Sequence, residues 1–396
     1  MKNKREWIRA IAYGSFYAAI IIEVIIVILD KSSYTNPLEG RLFQLTFALC
    51  FLKVCLTKYS FREYAAIFLF CVLGAVSYFV TGRNEILRLV MLIAACKDVD
   101  MNKCLKLIFW LTLTGCGVIV MLAVAGIYGS MSLTMDFGRG SVETRYTLGM
   151  GHPNALQCMV WALTALGLYL YAERMKWYHY SVLLLFNLGV YLLTDSRTSL
   201  LVVLFTIAMS YLTSAKISER IKRLVAWLGG ILTMGSVAAS VFIAANAYRV
   251  YNYSWHLYKG QPDPVMMVFV KLDRMLTGRI RILTETDGWE GSIQSWSLFS
   301  RPETEYYFDM GWVRMFYWYG IIPAGIFVLV LLALIVYCYR KEQYLAITLI
   351  AAFSVYTVIE AHAVSDYLAR NYTFFLIGAY WSPMLACIKE RRRAYE

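Results

Sequence analysis

Between Arg145 and Arg197 one arrangement occurs twice: an arginine-bearing polar turn set against a long apolar stretch. The first reads Arg145-Tyr-Thr-Leu-Gly-Met-Gly151-His152-Pro153-Asn154, the second Thr194-Asp195-Ser196-Arg197-Thr198. A guanidinium at the edge of an apolar phase is costly unless an anion compensates it. Its planar fork of donors matches a phosphate bidentately. The chemistry on offer is therefore the holding of an anion. His152 and Glu143 add groups that exchange protons.

Composition dictates what must carry these turns. The chain has 396 residues, 60% of them hydrophobic and 16% charged, which excludes an ordinary soluble globule. Apolar runs of roughly 17–25 residues mark helices that cross a hydrocarbon core about 30 Å thick. Such runs lie near residues 8–29, 41–57, 63–80, 84–96, 104–127, 154–172, 179–194, 198–214, 222–245, 311–338, 343–360 and 371–388, the fourth being short. The expected fold is an all-α polytopic membrane protein, a single integral domain of about 12 transmembrane helices. Met1 to Arg9 is basic and leads into an apolar run without an Ala-x-Ala site, so it reads as a retained anchor.

Charge sets the orientation. With the N-terminus inside, the inner segments hold Lys2, Lys4, Arg5 and Arg9, then Lys58 and Arg62, Lys97, Lys103 and Lys106, Arg174 and Lys176, Lys216 to Arg223, Arg340 and Lys341, and Lys389 to Arg393. The short outer loops hold only Lys31, Arg41, Arg83, Arg139, Arg145, Arg197 and Arg370. The positive-inside rule then places both termini in the cytoplasm. The net charge of +12 is topological and calls for no nucleic acid. The nine cysteines fall in spans or at inner ends, with no redox or metal-ligand spacing. No P-loop or internal repeat is present, which argues against an ATP-driven transporter.

Two outer segments are long: residues 128–153 and the large extracytoplasmic loop 246–310. Within the second, residues 265–283 are periodic, with Lys271, Arg274, Thr277, Gly278 and Arg281 opposite the apolar positions. That spacing predicts one amphipathic helix lying in the interface. The outward cations favour arginine over lysine: Arg139, Arg145, Arg197, Arg249, Arg274, Arg279, Arg281, Arg301, Arg314 and Arg370 against Lys31, Lys259 and Lys271. Arginine is the residue suited to phosphate, here a lipid headgroup or a lipid-linked pyrophosphate.

Every candidate also has a structural use. Arg145 and Arg279 can snorkel or cap helices, Arg197 can brace its hairpin through Asp195, and His152-Pro153-Asn154 reads as a helix entry. Glu360 and His362 can pair with Arg370. Within spans, Glu23 should face protein and Lys53 can snorkel. Arg88 can face a substrate cavity or pair with Glu85 three residues earlier. Tyrosines suit interfacial belts, and Trp289, Trp296, Tyr306, Tyr307, Trp312 and Trp318 could stack on sugars.

Taken together, residues of about 140–375 resemble Wzy-type polysaccharide polymerases of the O-antigen ligase/polymerase superfamily. The resemblance lies in the long outer loop between late spans, the Gly-x-His-Pro-Asn turn opening a span and the Ser-Arg turn closing a hairpin. Leu272-Asp273-Arg274-Met275-Leu276-Thr277-Gly278-Arg279 adds to it. So do Phe308-Asp309-Met310-Gly311 running towards Tyr319-Gly320, and Glu360 followed by Asn371. Two departures stand out. Ligases carry a histidine near the end of the large loop where this chain has Asp309. The arginine–ten residues–glycine signature of some polymerases is not met by Arg139, because Met150 stands at that spacing.

The resemblance implies a metal-independent, inverting glycosyl transfer at the outer face of the bacterial plasma membrane, with no cofactor. Undecaprenyl-pyrophosphate-linked oligosaccharides would be donor and acceptor. Membrane lipid, a flippase and a chain-length regulator would be partners. Such a reaction needs cations to stabilise the departing pyrophosphate, for which Arg145, Arg279, Arg281, Arg197 and Arg314 are the candidates. It needs a weak base for the acceptor hydroxyl, for which Asp309, His152 and Glu143 are the candidates. A ligase would share the chemistry, but the missing loop histidine tells against it. A flippase would show two similar halves and charges along a central pathway.

Overall fold

A computed structural model describes all residues except 1, 138–139, 215, 261–262, 285–290, 301–307, 362–364 and 396. Arg139, Arg301, His362, Trp289, Tyr306 and Tyr307 lie outside the described residues. Among the described residues the chain is an all-α membrane protein with one small hairpin. Its helices are α1 (Lys2–Lys31), α2 (Glu39–Cys55), α3 (Phe61–Thr81), α4 (Glu85–Ala95) and α5 (Met101–Val124). Then come strands β1 (Ser132–Asp136) and β2 (Val142–Tyr146), followed by α6 (Pro153–Tyr171), α7 (Trp177–Thr194), α8 (Arg197–Ser214) and α9 (Glu219–Tyr258). The chain ends with α10 (Pro264–Met275), α11 (Arg279–Ile282), α12 (Gly311–Tyr319), α13 (Ile321–Arg340), α14 (Tyr344–Thr357) and α15 (Thr373–Tyr395). Among the described residues, seven helices are long and apolar enough to cross a membrane.

Local chemistry sets many of the boundaries. Ser60 and Glu63 form a capping box at the start of α3, and Gly82 closes that helix in the left-handed conformation. Asp100 caps α5, and Asp263 with Pro264 opens α10. α14 lies at the centre and is buried along almost its whole length. Its Phe353 and Tyr356 pack edge-on against Trp161 of α6, with ring centroids 4.7 and 4.5 Å apart. Its neighbours are protein, so fourteen residues suffice there.

Several expectations are corrected. The loop 128–153 contains β-structure: β1 pairs antiparallel with β2, Leu133 opposite Arg145. The run 222–245 belongs to a 40-residue helix, about 60 Å long at 1.5 Å per residue, so α9 carries the first part of the supposed loop. The periodic segment 265–283 is two helices, broken where Thr277 (φ 55) and Gly278 (φ 79) turn left-handed. α4 has eleven residues, about 16 Å, half of what a crossing needs.

The run 311–338 is also two helices. Gly320, at φ 94 and ψ 170, separates α12 from α13. A Cβ there would lie 2.5 Å from Phe299 Cα and 2.6 Å from the Leu298 carbonyl oxygen, so only glycine admits the strap that crosses the break. That strap satisfies the freed backbone groups: Ile321 and Ile322 N–H donate to the Ser297 and Leu298 carbonyls at 2.9 and 3.1 Å. Trp296 stacks on Phe316 at 4.7 Å. All nine residues of α12 are buried. Irregular backbone within an apolar bundle is tolerated where protein encloses it in this way.

Candidate functional site

The two arginine turns meet at the end of the bundle that carries the hairpin. Gly151 N–H donates to the Lys31 carbonyl at 2.9 Å, and Met150 forms a bridge with Ser32, so the hairpin docks on the end of α1. Ser196 Oγ donates to Asn154 Oδ1 at 2.6 Å, and Thr194 Oγ1 to Gln157 Oε1 at 3.1 Å, stitching the second turn to the first. Asp195 closes α7 at φ 48, a left-handed position that aspartate tolerates better than most residues.

This stitching buries Arg145, whose side chain is only 7% exposed. Its Nε and Nη2 donate to Glu143 Oε2 at 3.2 and 2.7 Å, and Nη2 lies 3.7 Å from Asp195 Oδ2. Asp195 Oδ1 in turn lies 3.6 Å from Arg197 Nε. The Arg145 guanidinium rests 4.2 Å from the centre of the Phe137 ring. Phe137 meets the His152 imidazole edge-on at 5.6 Å.

His152 is the N-cap of α6: its Nδ1 accepts from Asn154 N–H at 3.1 Å. Nδ1 therefore carries no proton, which leaves Nε2 as an N–H donor in the neutral ring. Burial lowers its pKa below the ordinary 6.5, Asp309 opposes that shift, and Arg145 adds to it.

A second group is built by the corner between α10 and α11. Asp273 Oδ1 accepts from the N–H groups of Ile280 and Arg281 at 2.8 and 2.9 Å, fixing the corner. Arg279 emerges there, 9% exposed. Its Nε donates to the Ile359 carbonyl at 2.9 Å and its Nη1 to the Leu276 carbonyl at 3.2 Å and to Thr277 Oγ1. Nη2 donates to Glu360 Oε1 at 3.1 Å and lies 3.5 Å from Asp309 Oδ2. Asp309 stays 41% exposed. Burial raises the Glu360 pKa, Asp309 adds to the rise, and Arg279, Arg370 and Lys31 oppose it.

Arg145 and His152 thus stand near Asp309 and Arg279, in one cluster drawn from three distant stretches of sequence. Glu143 serves as the partner of Arg145. Arg197 (68% exposed) and Arg281, also exposed, stand at the margins. Arg314 is elsewhere: its guanidinium lies 3.5 Å over Trp318, near the far end of α12. Glu360 is the residue that sequence reasoning undervalued, since only tertiary packing brings it to Arg279. Asn371 caps α15, its Oδ1 accepting from Thr373 N–H at 3.0 Å.

The ionisable residues within the bundle are also placed. Arg88 Nη2 pairs with Glu23 Oε1 at 2.9 Å and not with Glu85. Lys53 does not snorkel: it is buried, donating to Thr57 Oγ1 at 2.7 Å and to the Lys97 carbonyl at 3.1 Å. Trp312 is 1% exposed and so belongs to the core.

A cavity of about 350 Å³ lies between α3, α4, α13 and α15. It extends from Glu85, Tyr319 and Ser365 to Trp381 and Leu385, and its walls are almost wholly apolar. In comparisons with known proteins, no family model, no curated protein and no solved structure matches this chain.

Proposed function

We propose that the chain is a polysaccharide polymerase that joins undecaprenyl-pyrophosphate-linked oligosaccharides at the outer face of the bacterial plasma membrane. The observation that carries this reading is the convergence of Arg145, His152, Asp309 and Arg279 at one end of an apolar bundle. Buried arginines beside a half-exposed carboxylate suit a reaction in which a pyrophosphate leaves and a hydroxyl attacks.

In this mechanism the pyrophosphate displaces the half-exposed Glu143 and Asp195 from Arg145. Arg197 and Arg281 add charge at the margin. Asp309, 3.5 Å from Arg279 Nη2, accepts the proton of the acceptor hydroxyl as its oxygen attacks the anomeric carbon. The carbon–oxygen bond to pyrophosphate breaks on the opposite face, so configuration inverts. His152 donates from Nε2 and is not the base. No step draws on a metal or cofactor.

The test uses purified protein with lipid-linked repeat units. Long glycan should form in chelator and be lost in Arg145→Ala and Asp309→Asn. Undiminished polymer from Arg145→Ala overturns the mechanism, and loss of activity in chelator counts against its metal-free form.

A further inference from the structure

A polar hollow opens at the turn that joins α1 to α2. Its volume is about 310 Å³, at the lower end of the range for small-molecule clefts. Asp30 stands in the last turn of α1, Glu39 opens α2, and Tyr34 and Asn36 lie between them. Tyr367, from the segment before α15, completes the lining. Among the described residues of the wall, only Ile26 is wholly apolar and none is cationic.

The polar groups of this wall are held in place. Tyr367 OH donates to Glu39 Oε1, and its ring packs edge-on against Phe43 at 5.5 Å. Asp30 Oδ2 lies 2.5 Å from Lys31 Nζ. Asn36 Oδ1 accepts from Leu38 N–H at 3.1 Å, which leaves Nδ2 as the donor end of the amide. That Nδ2 is shut off from solvent and meets no acceptor among the described residues, an arrangement that favours a ligand oxygen beside it. Tyr34 stays 43% exposed next to these groups.

Two carboxylates in a wall without a cation repel an anionic ligand. Each already has a partner, Lys31 on Asp30 and Tyr367 on Glu39, which tells against a hard metal ion that needs about six or more oxygens. Each also keeps lone pairs for hydroxyl donors. A sugar ring matches this set: its hydroxyls give and take hydrogen bonds, and its C–H face suits an aromatic ring. We infer that the hollow is a subsite for an uncharged sugar. Ser32 ties it to the Arg145–His152 turn, since it lines the hollow and pairs with Met150, two residues before His152. On the polymerase reading, on which this role rests, the occupant is a sugar of the repeat unit near the reacting one. It is a neutral or N-acetylated sugar and not a uronic acid.

The experiment asks which sugars bind, and where. Full-length protein in detergent is titrated with the methyl glycosides of glucose, galactose and N-acetylglucosamine and with methyl glucuronide. Saturation-transfer NMR reads binding and hydrogen exchange reads location. At least one uncharged glycoside should bind and slow exchange across residues 32–39, and the glucuronide should bind about tenfold more weakly or worse. Asn36→Ala and Tyr34→Ala should each weaken the uncharged glycoside by about tenfold or more, while Arg145→Ala leaves it unchanged. Tyr34 is exposed, so its variant reports even where Asn36→Ala disturbs the turn. Absence of binding, glucuronide binding of equal strength, or slowed exchange only elsewhere overturns the inference. So does displacement of the glycoside by calcium, which would make the hollow a cation site. Sugar binding at residues 32–39 without glycan synthesis from lipid-linked repeat units would reject the polymerase reading and keep the subsite. Polymerisation undiminished in both variants would reject the subsite and keep the polymerase.

Discussion

Arg145 Nη2 stands 3.7 Å from Asp195 Oδ2, and this contact joins the two arginine-bearing turns of the chain. Asp195 therefore competes with any anionic ligand for a buried guanidinium. Half-exposed ion pairs are worth about 0.2–1 kcal/mol, so Asp195→Asn should tighten inorganic pyrophosphate by no more than about fivefold. Arg145→Ala should abolish that binding. Calorimetric titration of the two variants checks both; weaker binding in Asp195→Asn would remove the competition argument.

The His152 imidazole gives a stability profile with a definite sign. Its folded pKa is depressed from 6.5, chiefly by burial, so the unfolded chain takes up the proton first as pH falls. The stability it contributes is complete above about 6.5 and declines as pH drops through that value towards the folded pKa. Thermal unfolding in detergent between about pH 5 and 8 should show this slope in wild type and a flatter one in His152→Gln. A stability that rises on acidification through this range contradicts the assignment.

Much of this arrangement was legible in the sequence because it depends on local spacing. The apolar runs announced the bundle, and His152-Pro153-Asn154 announced a helix entry that the Nδ1 cap fulfils. What was hidden depends on distant segments. Glu85, three residues from Arg88, looked like its partner, yet Glu23 from another helix takes that place because both side chains are buried together. Ser132–Asp136 alternates polar and apolar but over only five residues, and Val142–Tyr146 does not alternate at all, so the hairpin did not stand out beside long helices. Glu360 ended an apolar run without any sign that Arg279, in a separate loop, would reach it. The aromatic run 312–319 hid the break after it, since Gly320 is required by the strap and not by its neighbours.

The Glu23–Arg88 pair should be strongly asymmetric to substitution. Both side chains are almost wholly buried, at 3% and 4% exposure, and Thr46 Oγ1 donates to the same Glu23 oxygen at 2.6 Å. Removing one partner strands a charge and should cost about 3–5 kcal/mol, whereas replacing both with apolar residues should be near neutral. Unfolding of Glu23→Leu, Arg88→Met and the double variant in one detergent decides this. An additive double variant would mean that the two groups do not depend on each other.

Gly320 offers a test of how α12 is held. Alanine at φ 94 would be strained on its own account, and its Cβ would meet the backbone of Leu298 and Phe299 and not the end of a flexible side chain. The strained backbone alone should cost about 1–3 kcal/mol, and displacement of the strap should follow. Ile321 and Ile322 N–H would then lose the Ser297 and Leu298 carbonyls. Hydrogen exchange should therefore quicken at these two amides in Gly320→Ala while the amides of α14 stay protected. Unchanged protection at 321 and 322 would show that the strap is not what secures the break between α12 and α13. Quickened exchange confined to them would make α12 a separately anchored element.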